Sequence, residues 1–229
     1  MSGHFGDDLT AAVIDKHAPV CVGLDPSYER LPEAVRQAHG DDHVGALREF
    51  CTEVIRAVAP IVPAVKPQIA SFEVHHGPGV ELYFDMVDLA RQAGLMIIGD
   101  IKRNDIGSTA QAYARAHLSG EKCPDAVTLN GYLGADGLEP FIEEGNAGGK
   151  GIFVLVRTSN PSGAVMQDFA DASGKKFYEH MAEQVASIGR ADGLIGASGY
   201  SRVGAVVGAT YTQEARELRV MMPEQLFLV

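Results

Sequence analysis

The stretch Leu95-Met96-Ile97-Ile98-Gly99-Asp100-Ile101-Lys102-Arg103-Asn104-Asp105-Ile106-Gly107-Ser108-Thr109 passes from an apolar run straight into alternating acids and bases. The run reads as a buried strand, and the charges stand where it runs out. Successive side chains along a strand point to opposite faces, so Asp100 and Lys102 are expected on one face and Ile101 on the other. Asp105 lies past the strand end. Buried ions are costly one at a time, so such a row is expected to form a mutually neutralising network. The plainer alternative is a surface salt-bridge cluster at a strand-to-helix turn.

A second stretch, Ala64-Val65-Lys66-Pro67-Gln68-Ile69-Ala70-Ser71-Phe72-Glu73, puts another lysine at the end of another apolar run. Lysines on strands usually sit at edges, but the flanks here are apolar and Pro67 closes the ladder by removing a donor. With no acid nearby in sequence, the expected partner of Lys66 is a carboxylate on a neighbouring strand. The group then reads Lys66, Asp100, Lys102, Asp105, with formal charges that cancel.

Working outward, short apolar runs recur at Pro19 to Leu24, Ile61 to Lys66, Leu95 to Lys102, Ala126 to Asn130, Gly151 to Val156, Val203 to Thr210 and Leu226 to Val229. Segments between them, such as Glu81 to Ala93, Thr109 to Leu118 and Phe177 to Ile188, carry apolar residues at helical spacing. Alternating strands and helices predict a parallel sheet, either doubly wound or closed into a barrel. Polar residues follow nearly every strand: Asp25, Lys66, Asp100 with Lys102, Thr128 with Asn130, and Thr158-Ser159-Asn160. A doubly wound sheet gathers its site at one switch point, whereas a barrel collects it from many strand ends. The expectation is therefore a (β/α)8 TIM barrel forming a single domain over residues 1–229, ending in its seventh strand and without the eighth strand-helix unit.

The chain has 229 residues, 46% of them hydrophobic and 21% charged, enough for one large core. A net charge of −11 argues against nucleic acid or an anionic membrane as partner. Three widely spaced cysteines, Cys21, Cys51 and Cys123, predict reduced thiols, and the N-terminal residues carry no signal-peptide pattern, so a cytoplasmic location is expected. Gly148-Gly149-Lys150-Gly151 resembles a phosphate loop, but Lys150 is not followed by Ser or Thr and Glu144 stands where the first glycine belongs, which leaves a helix-to-strand turn. Glu73, His75 and His76 lack converging partners for a metal, and Glu81, Asp85 and Asp88 read as a solvated helix face.

Taken together, Gly23-Leu24-Asp25-Pro26, Val65-Lys66-Pro67-Gln68, Asp100-Ile101-Lys102-Arg103-Asn104-Asp105-Ile106-Gly107-Ser108-Thr109, Tyr132-Leu133-Gly134 and Thr158-Ser159-Asn160-Pro161 resemble the orotidine 5′-monophosphate decarboxylases, closest to the longer bacterial branch (type 2). The resemblance implies a (β/α)8 barrel that forms homodimers and converts orotidine 5′-monophosphate to uridine 5′-monophosphate without metal or cofactor, the last step of pyrimidine nucleotide synthesis. It implies that Asp25 binds ribose hydroxyls, Lys66 bridges the ribose and the charge row, Asp100 faces the substrate carboxylate and Lys102 delivers the proton. Asp105, Ile106 and Thr109 match positions lent to the partner subunit's site, and Ser159 matches a serine that contacts the pyrimidine. Asn130, at the end of the fourth strand, joins them as a substrate-binding candidate. Gly131 stands where the family more often has proline. The family's phosphate-gripping loop and terminal arginine have no counterpart before Val229, and of the remaining arginines neither Arg157 nor Arg202 has a motif assigning it to phosphate.

Loss of CO2 from C6 of the pyrimidine leaves a carbanion that the ring delocalises poorly. A fixed ammonium at Lys102 would stabilise it and then protonate it. Asp100 against the substrate carboxylate would add a like-charge repulsion of roughly 4 kcal/mol at 4 Å and an effective dielectric of 20, relieved as CO2 departs. Two other readings stay open. One is a metal-dependent sugar-phosphate decarboxylase or synthase of the same barrel group, which would want an acidic ligand where Lys66 stands. The other is an inactive nucleotide-binding fragment.

Overall fold

Among the described residues, seven strands carry the apolar runs: β1 (Cys21–Leu24), β2 (Ala64–Pro67), β3 (Met96–Arg103), β4 (Ala126–Leu129), β5 (Gly151–Arg157), β6 (Ser201–Val207) and β7 (Gln225–Leu228). The helices, in chain order, are α1 (Phe5–Lys16), α2 (Glu33–His39), α3 (His43–Val58), α4 (Ala70–Glu73), α5 (His76–Gln92), α6 (Gly107–Leu118), α7 (Ala135–Ala147), α8 (Gly163–Gln167), α9 (Phe177–Gly189) and α10 (Thr212–Met221). This computed structural model describes residues 3–229. Each expected strand is present, with ends displaced by a few residues. Ile61 and Val62 fall outside β2 because their amides bond back to the Val58 carbonyl, continuing the turn out of α3. Apolar periodicity cannot separate that turn from a strand.

The chain divides into two compact units. One comprises Leu9–Ile101 and Ser119–Asp125; the other comprises Lys102–Leu118 and Ala126–Val229 with the N-terminal residues up to Asp8. In the first unit β1 lies parallel to β2, with Gly23 opposite Lys66. β2 lies parallel to β3, with Val65 opposite Ile97. A further bridge sets Gln68 opposite Asp100. α3 buries Leu47, Cys51 and Ile55, and α5 buries Leu82, Met86 and Ala90. Both sets repeat every fourth residue, the spacing that lines one helix face. Fully burying an aliphatic side chain of this size is worth roughly 1.5–3 kcal/mol.

Asp125 ties the approach to β4 onto β3 within the same unit. Its N–H donates to the Ile97 carbonyl at 2.8 Å, and its carboxylate accepts the Ile97 N–H at 2.8 Å. Arg91 holds the turn from the other side, donating to the carbonyls of Glu121 and Cys123 at 2.6 Å each and pairing with Asp125 at 3.2 Å. The acidic face of α5 departs from expectation at Asp85. Its carboxylate pairs with Arg48 and Lys122, each at 3.0 Å, and these bonds hold it below the usual carboxylate range.

In the second unit β4 pairs with β5, β5 with β6 and β6 with β7, all parallel. β4 is buried along its whole length and β5 nearly so, as expected for parallel strands covered on both faces. α6 packs on α7; Ala110 and Ala114 are buried on the one and Leu138 and Phe141 on the other. α9 lays Met181, Ala182 and Val185 on β5 and β6. Phe5 meets Phe153 edge-on with ring centroids 5.7 Å apart. Gly148 to Gly151 forms the helix-to-strand turn expected of it, between α7 and β5.

His117 on α6 is 5% exposed. Burial first, and the Arg103 charge second, push its imidazole down from 6.5 to about 4. The unfolded chain therefore takes up a proton between these values while the folded chain does not, so stability falls as pH drops through that window. The full gap corresponds to a loss on the order of 3 kcal/mol. Replacing His117 with Gln should flatten the pH dependence of the urea-unfolding free energy between pH 6.5 and 4, and an unchanged slope would contradict this account of the buried imidazole.

Candidate active site

The first unit builds a buried ion pair at its strand ends. Asp100 is 4% exposed, and one of its carboxylate oxygens accepts from Lys66 Nζ at 2.7 Å and from Gln68 Nε2 at 3.0 Å. This is the cross-strand partner expected for Lys66. Charge-assisted bonds of this length offset part of the cost of taking the carboxylate out of water. Gln68 was not singled out in the sequence, although it stands two residues beyond Lys66, where strand alternation returns to the same face. Cys21, on β1, lies close enough to feel both charges. Burial pushes its thiol up to about 12, with Lys66 opposing and Asp100 reinforcing the shift. The shift favours the protonated thiol, the weaker nucleophile. Asp25 is exposed immediately after β1.

The second unit begins at Lys102, whose backbone has a φ of +45°. A non-glycine residue in the left-handed region is strained by roughly 1–2 kcal/mol. Simple alternation along β3 therefore carries as far as Ile101 and no further. The Lys102 N–H donates to Thr128 Oγ1 at 3.1 Å, and Thr128 is 1% exposed. Thr128 thus turns from a neighbouring strand end into an anchor for the Lys102 backbone. Lys102 itself is exposed.

Asp105 is half-buried and accepts the Ile106 N–H at 2.8 Å. Ile106 is 58% exposed, and Thr109 is exposed on the first turn of α6. Asn130 spends its side-chain oxygen on the Tyr132 N–H at 3.0 Å, closing the 3-10 turn Gly131–Leu133. Ser159 is exposed after β5. The glycine at 131 has a packing reason: a Cβ there would run into Met181 Cε and come within 2.9 Å of Val154 Cγ1. A proline ring would need that wall to move.

Arg157 and Arg202, which no motif assigns to phosphate, are both committed internally. Arg157 is 2% exposed at its side chain, pairs with Asp168 at 2.9 Å, and lies over the rings of Tyr178 and Tyr211 at 4.8 and 4.0 Å. Arg202 points at the carbonyls of Gly145 and Asn146, 3.5 and 3.4 Å away near the C-terminal end of α7, where a cation complements the helix dipole. Among the described residues no three His, Cys, Asp or Glu side chains gather as metal ligands. His75 instead packs edge-on to His43 at 6.1 Å.

Residues 18–224 match the sequence model described as the orotidine 5′-phosphate decarboxylase / HUMPS family. The chain belongs to that family. An orotidine 5′-phosphate decarboxylase of Rhodopirellula baltica is 45% identical, the match covering 98% of this chain and 77% of the relative. One from Deinococcus radiodurans is 39% identical, covering 100% and 78%. Among solved structures, a putative orotidine-monophosphate-decarboxylase from Toxoplasma gondii superposes with a TM-score of 0.87 at 30% identity, covering 100% of this chain and 78% of that one. A putative orotidine 5′-phosphate decarboxylase from Streptomyces avermitilis gives a TM-score of 0.78 at 36% identity, covering 90% and 70%.

The pair of Lys66 and Asp100 should reveal itself in stability. Lys66→Met takes the Lys66 ammonium away from the buried Asp100 carboxylate and should cost about 3 kcal/mol, the low end for a broken buried pair because Lys66 is partly exposed. Adding Asp100→Asn should recover most of that loss in urea unfolding. A double variant no more stable than the single would show that the two charges are not coupled.

Proposed function

We propose that the chain decarboxylates orotidine 5′-monophosphate to uridine 5′-monophosphate in pyrimidine nucleotide synthesis, without metal or cofactor. The observation that carries this reading is the Lys66–Asp100 pair at 2.7 Å, a carboxylate buried beside an ammonium at the ends of parallel strands, in a chain of the decarboxylase family. In the metal-dependent sugar-phosphate branch the Lys66 position would need an acidic ligand. A lysine there repels a divalent cation, and its ammonium already occupies an Asp100 oxygen.

In this reading Asp100 faces the substrate carboxylate, and Lys102 stabilises the developing C6 carbanion and then protonates it. Lys66 bridges Asp100 and the ribose, Asp25 binds ribose hydroxyls, and Ser159 contacts the pyrimidine. Asn130 binds substrate through its side-chain amide, whose oxygen also accepts the Tyr132 N–H. The enzyme would be a cytoplasmic (β/α)8 barrel, a single domain; no described helix is long and apolar enough to cross a membrane. It would work as a homodimer in which Asp105, Ile106 and Thr109 serve the partner's site. Exposed Ile106, Tyr132 and Leu133, at 58%, 64% and 42%, supply apolar surface for such a contact.

Two experiments test this. Turnover, followed as loss of pyrimidine absorbance, should survive exhaustive chelation; loss on chelation with recovery on added magnesium would move the chain to the metal-dependent branch. For the shared site, Lys102→Ala and Asp105→Ala chains should be unfolded, mixed and refolded. Half the dimers are then mixed, each with one intact site, so activity should return to about one quarter of wild type if sites are independent. No recovery despite heterodimer formation would return Asp105 to its own subunit's site.

A further inference from the structure

We propose that Gln167 is a positioning residue for the substrate base: its amide fixes Thr158 and Asn160, and thereby the place of Ser159 between them. The proposal rests on the reading of Ser159 as a pyrimidine contact. Gln167 ends α8, and its side chain reaches back to the loop that follows β5. Oε1 accepts the Thr158 N–H at 3.0 Å, and Nε2 donates to Thr158 Oγ1 at 2.6 Å. The Thr158 hydroxyl then donates onward to Asn160 Oδ1 at 2.6 Å. Ser159 is exposed, yet both of its neighbours are tied down.

The other sides of the loop are closed as well. Arg157 Nη1 lies 3.5 Å from Gln167 Oε1, and Arg157 is itself fixed by Asp168 and two tyrosine rings. Gly163 lies close against the same network: a Cβ there would lie 3.1 Å from Thr158 Oγ1, 3.2 Å from Asn160 Oδ1 and 3.3 Å from Gln167 Nε2, so these side chains would have to give by a few tenths of an ångström. Gly208, after β6, backs onto Ser159, with a Cβ there falling 3.0 Å from the Ser159 nitrogen and 3.2 Å from its Cβ. The Gly208 N–H donates to the Arg157 carbonyl at 2.7 Å, which locks that approach in place.

Only an amide satisfies this arrangement. The Thr158 hydroxyl has one proton, given to Asn160, so its lone pair must receive a proton from Gln167 while the Thr158 N–H needs an acceptor on the same side chain. A carboxylate of the same shape accepts but does not donate. Gln167→Glu therefore keeps the volume and turns the Thr158 hydroxyl away from Asn160, which loosens the loop around Ser159.

The test compares uridine 5′-monophosphate with ribose 5-phosphate, which lacks the base, by calorimetry on the active enzyme. Gln167→Glu and Ser159→Ala should each weaken the nucleotide about tenfold, the scale of one misplaced hydrogen bond, and leave ribose 5-phosphate unchanged. The double variant should be no weaker than either single one, because both remove the same contact. Gly208→Ala, which pushes Ser159 from the opposite side, should give the same base-specific loss and serves if Gln167→Glu folds poorly. Wild-type nucleotide affinity in Gln167→Glu and Gly208→Ala alongside a weakened Ser159→Ala would overturn the positioning role. Wild-type affinity in Ser159→Ala would overturn the reading of Ser159 itself.

Discussion

A carboxylate at the end of a buried strand is stable only if something holds its charge, and at Asp100 the Lys66 ammonium on the neighbouring strand and the Gln68 amide just beyond it contribute to that. Lys66 and Gln68 reach the same oxygen because β2 and β3 are parallel and in a register that sets Gln68 opposite Asp100. The register depends in turn on what frames β3: the α3 and α5 faces in its unit, and the reciprocal bonds of Asp125 with Ile97. Much of the first unit can be understood as the frame that keeps this one pair aligned.

Lys102 is held by a different device. Its backbone is fixed in a left-handed conformation and bonded to the buried Thr128 hydroxyl, and this sets where the exposed side chain starts. Strain of this kind persists only where surroundings over-determine it. Here it coincides with the residue to which the proposed chemistry assigns the proton. The loop after β5 follows the same logic with side-chain bonds in place of strain, as Thr158 and Asn160 are tied and Ser159 is left exposed between them.

The strands, their parallel pairing and the partner of Lys66 were legible in the sequence because hydrophobic runs, β-branched residues and unpaired charges are local signals. Gln68 was legible in principle, two residues past Lys66, but amides carry no charge to draw attention. The φ of Lys102 had no sequence signal, since nothing in Asp100-Ile101-Lys102-Arg103 marks a break in strand geometry. Asp85 was read as part of a solvated face, and nothing in the sequence marked the partners of Arg157. Whether a charge is solvated or paired depends on residues distant in sequence, Tyr178, Tyr211 and Asp168 for one, Arg48 and Lys122 for the other.

In the proposed chemistry the Lys102 ammonium acts as the carbanion forms rather than when substrate binds. The most direct measurement is the steady-state kinetics of Lys102→Ala on orotidine 5′-monophosphate, beside its affinity for uridine 5′-monophosphate. Equal and large losses in kcat and kcat/KM are expected, with the product still bound. A variant that keeps a tenth of the wild-type kcat would contradict that chemistry.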